Sequence, residues 1–270
     1  MRTIPPRRLL LPALALAAAA AIGLSGCSGT EPDPGTESQA STPAPEPRTL
    51  TVFAAASLTE TFTTLAAEFE QDHPGVTVSL VFDGSSGLAS QLTEGAPADV
   101  FAAANESTMQ TVVDAELAQD PQVFVSNVLE IATLPGNPSD ITSFADLANP
   151  DLKLVVCAVE VPCGAATDKI EKATGIQLSP VSEENAVTDV LGKVTSGEAD
   201  AGLVYATDVL TAGDAVTGVP FAEADEAINK YPIVALTGAP EPELAAQFVE
   251  FILGPDAQER FEEAGFRAAP

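Results

Sequence analysis

Short apolar segments alternate with amphipathic helical segments along most of the chain, and this alternation is what most limits the folds open to it. Strand-like segments lie at residues 50–55, 76–82 and 99–103. Helix-like segments separate them, and the first has an apolar face made of Leu58, Phe62, Leu65 and Phe69. The second helix-like segment covers residues 87–94. This β-α-β-α-β order predicts a parallel sheet with helices on its faces.

A second unit of the same kind follows. Its predicted strands are residues 152–158 and 201–205, and its predicted helices are residues 165–174 and 186–195. Long apolar stretches at 122–134 and 231–236 flank it, and the helical segment 242–261 returns to the first unit. We therefore expect an α/β fold with two lobes, each a mainly parallel sheet flanked by helices, with a ligand in the cleft. Lobe I would comprise residues 49–126 and 231–270, and lobe II residues 127–230.

The N-terminus has the pattern of an export signal. Arginines at positions 2, 7 and 8 precede an apolar run at 9–24 that is too short and Ala-rich for a convincing membrane span. The run ends in Leu-Ser-Gly-Cys27, which resembles the lipobox of bacterial lipoproteins, so we expect lipidation of Cys27; an ordinary secretory signal is the alternative. Residues 28–48 are rich in Pro, Ser, Thr and Glu and are predicted to be a disordered tether. The resemblance to a lipobox implies a mature protein outside the cytoplasm, lipid-anchored to the outer face of the cell membrane.

The charge of the chain excludes one class of partner. The leader 1–27 carries three of the 11 basic residues and no acidic one, so the mature chain has eight basic against 39 acidic residues, a net charge of −31. Nucleic acid is a poor partner for such a surface. A small anion is not excluded, because surface charge is screened beyond about 8–10 Å, whereas a bound ion responds to dipoles within a few ångströms.

Serines and small residues recur where a predicted strand leads into a predicted helix. Ser57 follows the first strand, Ser85 and Ser86 follow the second, and the segments 161–164 and 184–187 precede two further helices. The pattern Ser57-x-x-Glu60 also fits a capping box, so Ser57 could simply cap its own helix. Helix N-termini that converge at the carboxyl ends of strands would, however, offer unpaired N–H groups to an anion without any cationic side chain.

The residues of an enzyme site are missing from these junctions. The one histidine, His73, precedes a proline in a predicted loop, and no serine has a plausible histidine base. The sequence has no His, Cys and carboxylate set for a metal cation and no Gly-rich phosphate loop followed by Lys-Ser or Lys-Thr. We therefore expect a binding protein with no cofactor and no catalytic residues.

Four segments of the chain resemble the molybdate-binding proteins that serve ABC importers, and the match runs in order through residues 49–270. The segments are TVFAAASLTETF, GSSGLASQLTEGAPADVFAAA, CAVEVPCGAAT and GEADAGLVYATDV. The resemblance implies a two-lobed periplasmic-binding-protein fold of the type II kind that closes over a tetrahedral oxyanion. It also implies delivery of molybdate, and of tungstate, to an ABC permease by a monomer. The ligand donors it implies are Ser57, Ser85, the backbone at Cys163, the backbone at Val187, and Tyr205.

Several alternatives stay open at this point. Ser86 is the fallback for Ser85, and Tyr205 could instead be a buried strand-end tyrosine with a satisfied hydroxyl. The family has alanine where this chain has Cys163, which makes the local turn geometry uncertain. With Cys27 in the anchor, Cys157 and Cys163 remain in an oxidising compartment, so we expect a disulfide between them, the alternative being two free thiols. Other functions compatible with the pattern are binding of another oxyanion, such as tungstate or sulfate, and a sensing or adhesive surface lipoprotein.

Overall fold

The computed structural model describes residues 47–270, so Cys27, the predicted signal peptide and almost all of the predicted tether lie outside the described residues. The first part of the described chain contains β1 (Arg48–Ala55), α1 (Thr59–Asp72), β2 (Val76–Asp83), α2 (Ser85–Thr93), β3 (Val100–Ala102), α3 (Glu106–Asp114) and β4 (Gln122–Asn127). The middle part contains β5 (Leu129–Thr133), β6 (Leu154–Cys157), α4 (Pro162–Thr174), β7 (Ser182–Glu184), α5 (Val187–Thr195), β8 (Ala201–Tyr205), α6 (Ala206–Ala212) and β9 (Thr217–Val219). The last part contains β10 (Asn229–Ala235), α7 (Pro242–Leu253), α8 (Pro255–Glu263) and β11 (Arg267–Ala268).

The strands form two sheets. The first has six strands in the order β11-β4-β10-β3-β1-β2, and the second has five in the order β7-β6-β8-β5-β9. The chain passes from the first sheet to the second at Val128 and returns through residues 220–228. Helices flank both sheets, and the prediction of a two-lobed α/β fold is confirmed. The proposed lobe limits at 127 and 230 stay a prediction, although β10 of the first sheet already begins at Asn229.

Each sheet is mixed rather than mainly parallel. In the first sheet β1 pairs in parallel with β2 and β3, as the β-α-β-α-β order predicts, but β10 pairs antiparallel with both β3 and β4. In the second sheet β6 pairs in parallel with β7 and β8, whereas β5 pairs antiparallel with β8 and β9. The short β11 also pairs antiparallel, with β4. The longer antiparallel strands β5 and β10 follow the two passages between sheets. They have no preceding helical crossover in their own sheet, and such a crossover is what gives a parallel strand its direction.

The amphipathic pattern of α1 packs the helix on the first sheet. Phe62, Leu65 and Phe69 recur at helical spacing and are fully buried. Phe62 and Phe69 make tilted or edge-to-face contacts with Phe248 of α7, which explains why the C-terminal helices return to this sheet. Helix α3 was not predicted, because its segment has few apolar residues and only Met109 and Val112 of its hydrophobic side chains are buried. Within the described residues no helix has both the length and the apolar character needed to span a bilayer.

Candidate oxyanion-binding site

A small cavity lies where helices of both sheets begin. The volume available to the centres of ligand atoms is about 10 Å³, which suits a compact ion and excludes a solute as large as a sugar. The first-sheet side of the cavity comprises Ala55, Ala56, Ser57, Gly84, Ser85 and Ala104. The second-sheet side comprises Val161, Pro162, Cys163, Val187 and Tyr205. All five predicted ligand residues therefore line one cavity, and none of its described lining residues carries a charge.

Four of the helical segments that begin at this cavity lack side-chain caps, whereas Asp208 accepts the N–H of Tyr205 at the start of α6. Among the described residues, no side chain bonds to the first N–H groups of α2, α4 or α5, nor to those of the 3-10 turn Ala56–Leu58 that precedes α1. By contrast, α3 is capped by Asn105, whose Oδ1 accepts the N–H of Thr108 at 2.9 Å. The uncapped starts of four helical segments thus line one small space. Uncapped N–H groups at a helix start carry partial positive charge and bind anions.

Two of these donors are free backbone groups. Pro162 occupies the first position of α4 and has no N–H. The first backbone hydrogen bond of α4 is donated by the N–H of Ala165 to the carbonyl oxygen of Val161. The first helical bonds of α5 are made by residues 189 and 190 to Ala186. Within residues 47–270, neither the N–H of Cys163 nor that of Val187 has a hydrogen-bond partner.

Ser57 does not cap its helix. It lies in the 3-10 turn, and the residue at the N-cap of α1 is Leu58. The Ser57 Oγ is instead 3.0 Å from the phenol oxygen of Tyr231, which is fully buried. The capping-box interpretation of Ser57 is therefore wrong, because the serine hydroxyl makes a contact to a distant strand and not to its own helix.

The two adjacent serines of α2 face different spaces. Ser85 is 1% exposed and lines the cavity, and its Oγ accepts the N–H of Ala104 at 3.0 Å. Ser86 lines a separate groove of about 470 Å³ between α2, α3 and the turn before α4. Since a backbone N–H can only donate, the hydroxyl hydrogen of Ser85 remains available to another acceptor. The geometry thus favours Ser85 over Ser86 as the ligand residue.

The hydroxyl of Tyr205 is buried at the cavity without a partner. Tyr205 is 1% exposed, and its Oη has no hydrogen bond within the described chain. Burial is the main cause that raises the pKa of Tyr205 well above its usual value, so the phenol stays protonated and can donate. The alternative of a strand-end tyrosine with a satisfied hydroxyl does not agree with this geometry. A buried polar group without a partner is costly unless something else bonds to it.

Cys157 and Cys163 are joined by a disulfide, as expected. The bridge connects the end of β6 to the second residue of α4, the helix whose N-terminus lines the cavity. Gly164 follows, and a Cβ at this position would lie 1.9 Å from the carbonyl oxygen of Ala158. The turn that presents the N–H of Cys163 is therefore fixed by a covalent bridge on one side and by close backbone packing on the other.

Asp208 is the ionisable residue nearest to Tyr205 in the sequence. It is 6% exposed, and its carboxylate accepts the N–H of Tyr205 at 2.8 Å at the start of α6. Burial raises the pKa of Asp208 to about 7, against the lowering effect of the Tyr205 hydrogen bond. Asp208 is not among the described residues that line the small cavity. No group of three or more His, Cys, Asp or Glu side chains within residues 47–270 could hold a metal cation.

Sequence reasoning missed the residues that lie behind the ligand donors. Tyr231 contacts Ser57, and the Asn229 amide donates to the carbonyl of Ala104 at 2.8 Å and to that of Pro162 at 3.4 Å. Gly84 was not singled out either, although a Cβ there would lie 1.9 Å from the carbonyl oxygen of Asn185. Asn229 and Tyr231 lie at alternate positions of β10, and this was the available signal, since alternate side chains share one face of a strand.

Comparisons with known proteins agree with this fold and cavity. Residues 50–267 match the model of the family described as bacterial extracellular solute-binding protein. The molybdate-binding protein ModA of Mycobacterium tuberculosis (strain H37Rv) is 49% identical over 220 residues, which cover 81% of this chain and 84% of the relative. The putative ABC transporter substrate-binding lipoprotein YvgL of Bacillus subtilis is 30% identical over 82% of this chain and 86% of the relative.

One solved structure supports the fold independently of close sequence similarity. The periplasmic molybdate-binding protein of Azotobacter vinelandii superposes with a TM-score of 0.70 at 21% identity, over 82% of this chain and all of the solved one. At this identity the likeness concerns the fold alone. The family match and the two relatives rest on sequence similarity, and they confirm the resemblance drawn from the four sequence segments. The chain therefore belongs to the bacterial extracellular solute-binding protein family.

Proposed function

We propose that this protein captures molybdate outside the cytoplasm and delivers it to an ABC permease. The observation that carries the proposal is the small cavity lined by uncharged donors from four uncapped helical segments and by the unpartnered hydroxyl of Tyr205. A dianionic oxyanion offers hydrogen-bond acceptors only, so it matches a site of N–H and O–H groups. The molybdate-binding relative at 49% identity supports the choice of oxyanion.

The donor chemistry predicts which anions are rejected. Phosphate at neutral pH carries a proton. The proposed donor set of Ser57, Ser85, Cys163, Val187 and Tyr205 contains no carboxylate to accept that proton, and its hydroxyl oxygens are needed as donors to the anion. Leaving one donor unpaired in an enclosed site costs about 1–3 kcal/mol. Sulfate has no such proton, and we propose that it is discriminated by its smaller size, because it cannot reach donors on both sides of the cavity at once. Tungstate resembles molybdate in size and charge and is proposed to bind as well.

The proposed location follows from the N-terminus. Lipidation of Cys27 would hold the protein at the outer face of the membrane, and a flexible tether of about 20 residues spans roughly 25 Å, enough to reach a permease. The Bacillus subtilis relative bears the name of a lipoprotein. We propose that the protein acts as a monomer whose two lobes follow the division at residues 127 and 230. Cys27→Ser should release the protein from the membrane; full membrane association of this variant would refute the anchor.

Titration calorimetry of residues 47–270 against molybdate, tungstate, sulfate and phosphate tests the proposed ligand. The two tyrosines and the absence of tryptophan in the whole chain make intrinsic tyrosine fluorescence a second assay that reports on the cavity directly. We expect binding of molybdate and tungstate at least 100-fold tighter than of sulfate, with phosphate weaker still. Sulfate binding as tight as molybdate binding would make the protein a general oxyanion receptor. No binding of any of the four anions would refute the proposal.

A further inference from the structure

Tyr231 is a buried residue of β10 that reaches the cavity through another side chain. It is fully buried and does not line the cavity, but its phenol oxygen is 3.0 Å from Ser57 Oγ, which does. Its ring makes edge-to-face contacts with Tyr205 and Phe266, whose centroids are 5.9 and 5.6 Å away. These contacts fix the ring, and hence the position of the hydroxyl that faces Ser57.

The two serines differ in what fixes the direction of their hydrogens. Ser85 Oγ accepts a backbone N–H from Ala104, so its own hydrogen is left free. Ser57 Oγ is paired with the Tyr231 hydroxyl, and in that pair either oxygen can be the donor. Only if Tyr231 donates does Ser57 keep its hydrogen for an anion. Burial raises the pKa of Tyr231, so its phenol holds the proton that this arrangement needs.

We propose that Tyr231 is a positioning residue of the oxyanion site, which donates its hydroxyl hydrogen to Ser57 Oγ and thereby directs the Ser57 hydrogen into the cavity. The inference rests on the proposed function, because it assumes that the cavity binds an oxyanion such as molybdate. Tyr231 also packs against Tyr205, which lies on the opposite side of the cavity. One residue thus supports donors that come from both sheets.

The test is a pair of double-mutant cycles with molybdate as the ligand. Tyr231→Phe keeps the ring and its packing but removes the hydroxyl group that hydrogen-bonds to Ser57 Oγ. We expect it to weaken molybdate binding about five- to tenfold in the parent protein, the scale of one neutral hydrogen bond. In the Ser57→Ala background the same change should weaken binding less than twofold, because the serine it acts through is absent. In the Ser85→Ala background the full five- to tenfold loss should remain.

The two backgrounds separate a positioning role from a structural one. If Tyr231→Phe merely loosened the fold, the loss would be equal in the Ser57→Ala and Ser85→Ala proteins, and this result would overturn the proposal. No loss in the parent protein would overturn it as well. Phe124→Leu is the matched control, since Phe124 packs edge-to-face on Tyr231 and carries no polar group; it should lower the unfolding midpoint but leave molybdate affinity within twofold.

Spectroscopy adds a readout that depends on the hydrogen bond itself. In the Tyr205→Phe protein, Tyr231 is the one remaining tyrosine of the chain. Saturating molybdate should then produce a near-ultraviolet difference spectrum from Tyr231, and the further change Ser57→Ala should abolish it. An unchanged difference spectrum without Ser57 would overturn the proposed contact. If the parent protein bound no molybdate by calorimetry, the proposed function would fail first, so the two failures are distinguishable.

Discussion

Replacing Gly84 by alanine should abolish tight oxyanion binding without unfolding the protein. Gly84 follows β2 in the first sheet, and a Cβ at this position would lie 1.9 Å from the carbonyl oxygen of Asn185, which follows β7 in the second sheet. Ordinary contact begins near 3.4 Å. Alanine therefore forces the two sides of the cavity apart by about 1.5 Å at this point. The backbone of Gly84 has φ −56° and ψ 133°, which alanine adopts without strain.

The size of the effect follows from the reach of a hydrogen bond. A separation of about 1.5 Å lengthens a bond of about 2.9 Å well beyond the limit of useful interaction. Val187 lies two residues after Asn185, so its N–H moves away from an anion held by Ser57 and Ser85. A hydrogen bond to a charged group contributes about 1.5–3 kcal/mol. Loss of two of the three proposed second-sheet donors, Cys163, Val187 and Tyr205, therefore costs about 3–6 kcal/mol of binding free energy. We expect molybdate affinity to fall by about 10²- to 10⁴-fold.

The assay compares Gly84→Ala with Gly87→Ala, a change three residues later and inside α2, the helix that begins after Gly84. A Cβ at Gly87 meets only the Asp83 side chain, at an ordinary 3.4 Å. Both proteins are titrated with molybdate by calorimetry, and urea unfolding without ligand checks their stability. Gly87→Ala should bind like the parent protein and gain up to about 1 kcal/mol in stability. Molybdate binding by Gly84→Ala within threefold of the parent would refute the argument.

Three further predictions concern the proposed serine donors, the disulfide beside the cavity and the buried carboxyl of Asp208. Ser57→Ala and Ser85→Ala should each weaken molybdate binding by about 1.5–3 kcal/mol, measured by calorimetry; parent-like affinity in both would contradict their assignment as ligands. The double change Cys157→Ala and Cys163→Ala should lower the free energy of unfolding by about 2 kcal/mol in urea yet keep affinity within about tenfold, because the backbone donor at 163 remains. Folding raises the pKa of Asp208 to about 7, so the folded state keeps this proton to a higher pH than the unfolded state does. The free energy of unfolding should therefore fall as pH rises from about 4 to 7. Asp208→Asn should flatten this dependence in urea titrations, and an unchanged slope would contradict the buried, protonated carboxyl.

Local sequence patterns predicted the helices and strands better than they predicted how the strands pair in the sheets. Strand β8 was predicted with its observed limits, Ala201–Tyr205, because a run of apolar or small residues is followed by the polar Thr207 and Asp208, which lie at the start of α6. Helix α4 begins at Pro162, three residues before its predicted start, since proline is favoured at the first helical position. The antiparallel direction of β10 could not be read from its own residues. It depends on where the chain re-enters the first sheet, which is a property of the whole topology.

The sequence predicted residues that line the cavity as far as they lie at the start of a helix, and their role as ligand donors stays a prediction. Repeated strand-to-helix junctions and the family motifs placed Ser57, Ser85 and Val187 on one cavity. What supports these donors could not be predicted, because those contacts join distant parts of the chain. The Tyr231 contact to Ser57 and the Gly84 approach to Asn185 both depend on the packing of one element against another. The capping-box motif gave a wrong interpretation for the same reason, since a tertiary partner replaced the local one.

The charge distribution explains how a strongly acidic protein can hold an oxyanion without a cation. Each α-helix N-terminus carries roughly half a positive charge, so α2, α4 and α5 together supply about one and a half units towards a dianion. The 39 carboxylates of the chain act over longer distances, where salt screens them beyond about 8–10 Å. An arginine at the cavity would add a strong, charge-assisted bond, and the ion would leave more slowly. Under the proposed function, dipoles and hydroxyls would supply the attraction needed for capture, and the anion would be free to pass on if the two sides of the cavity separated.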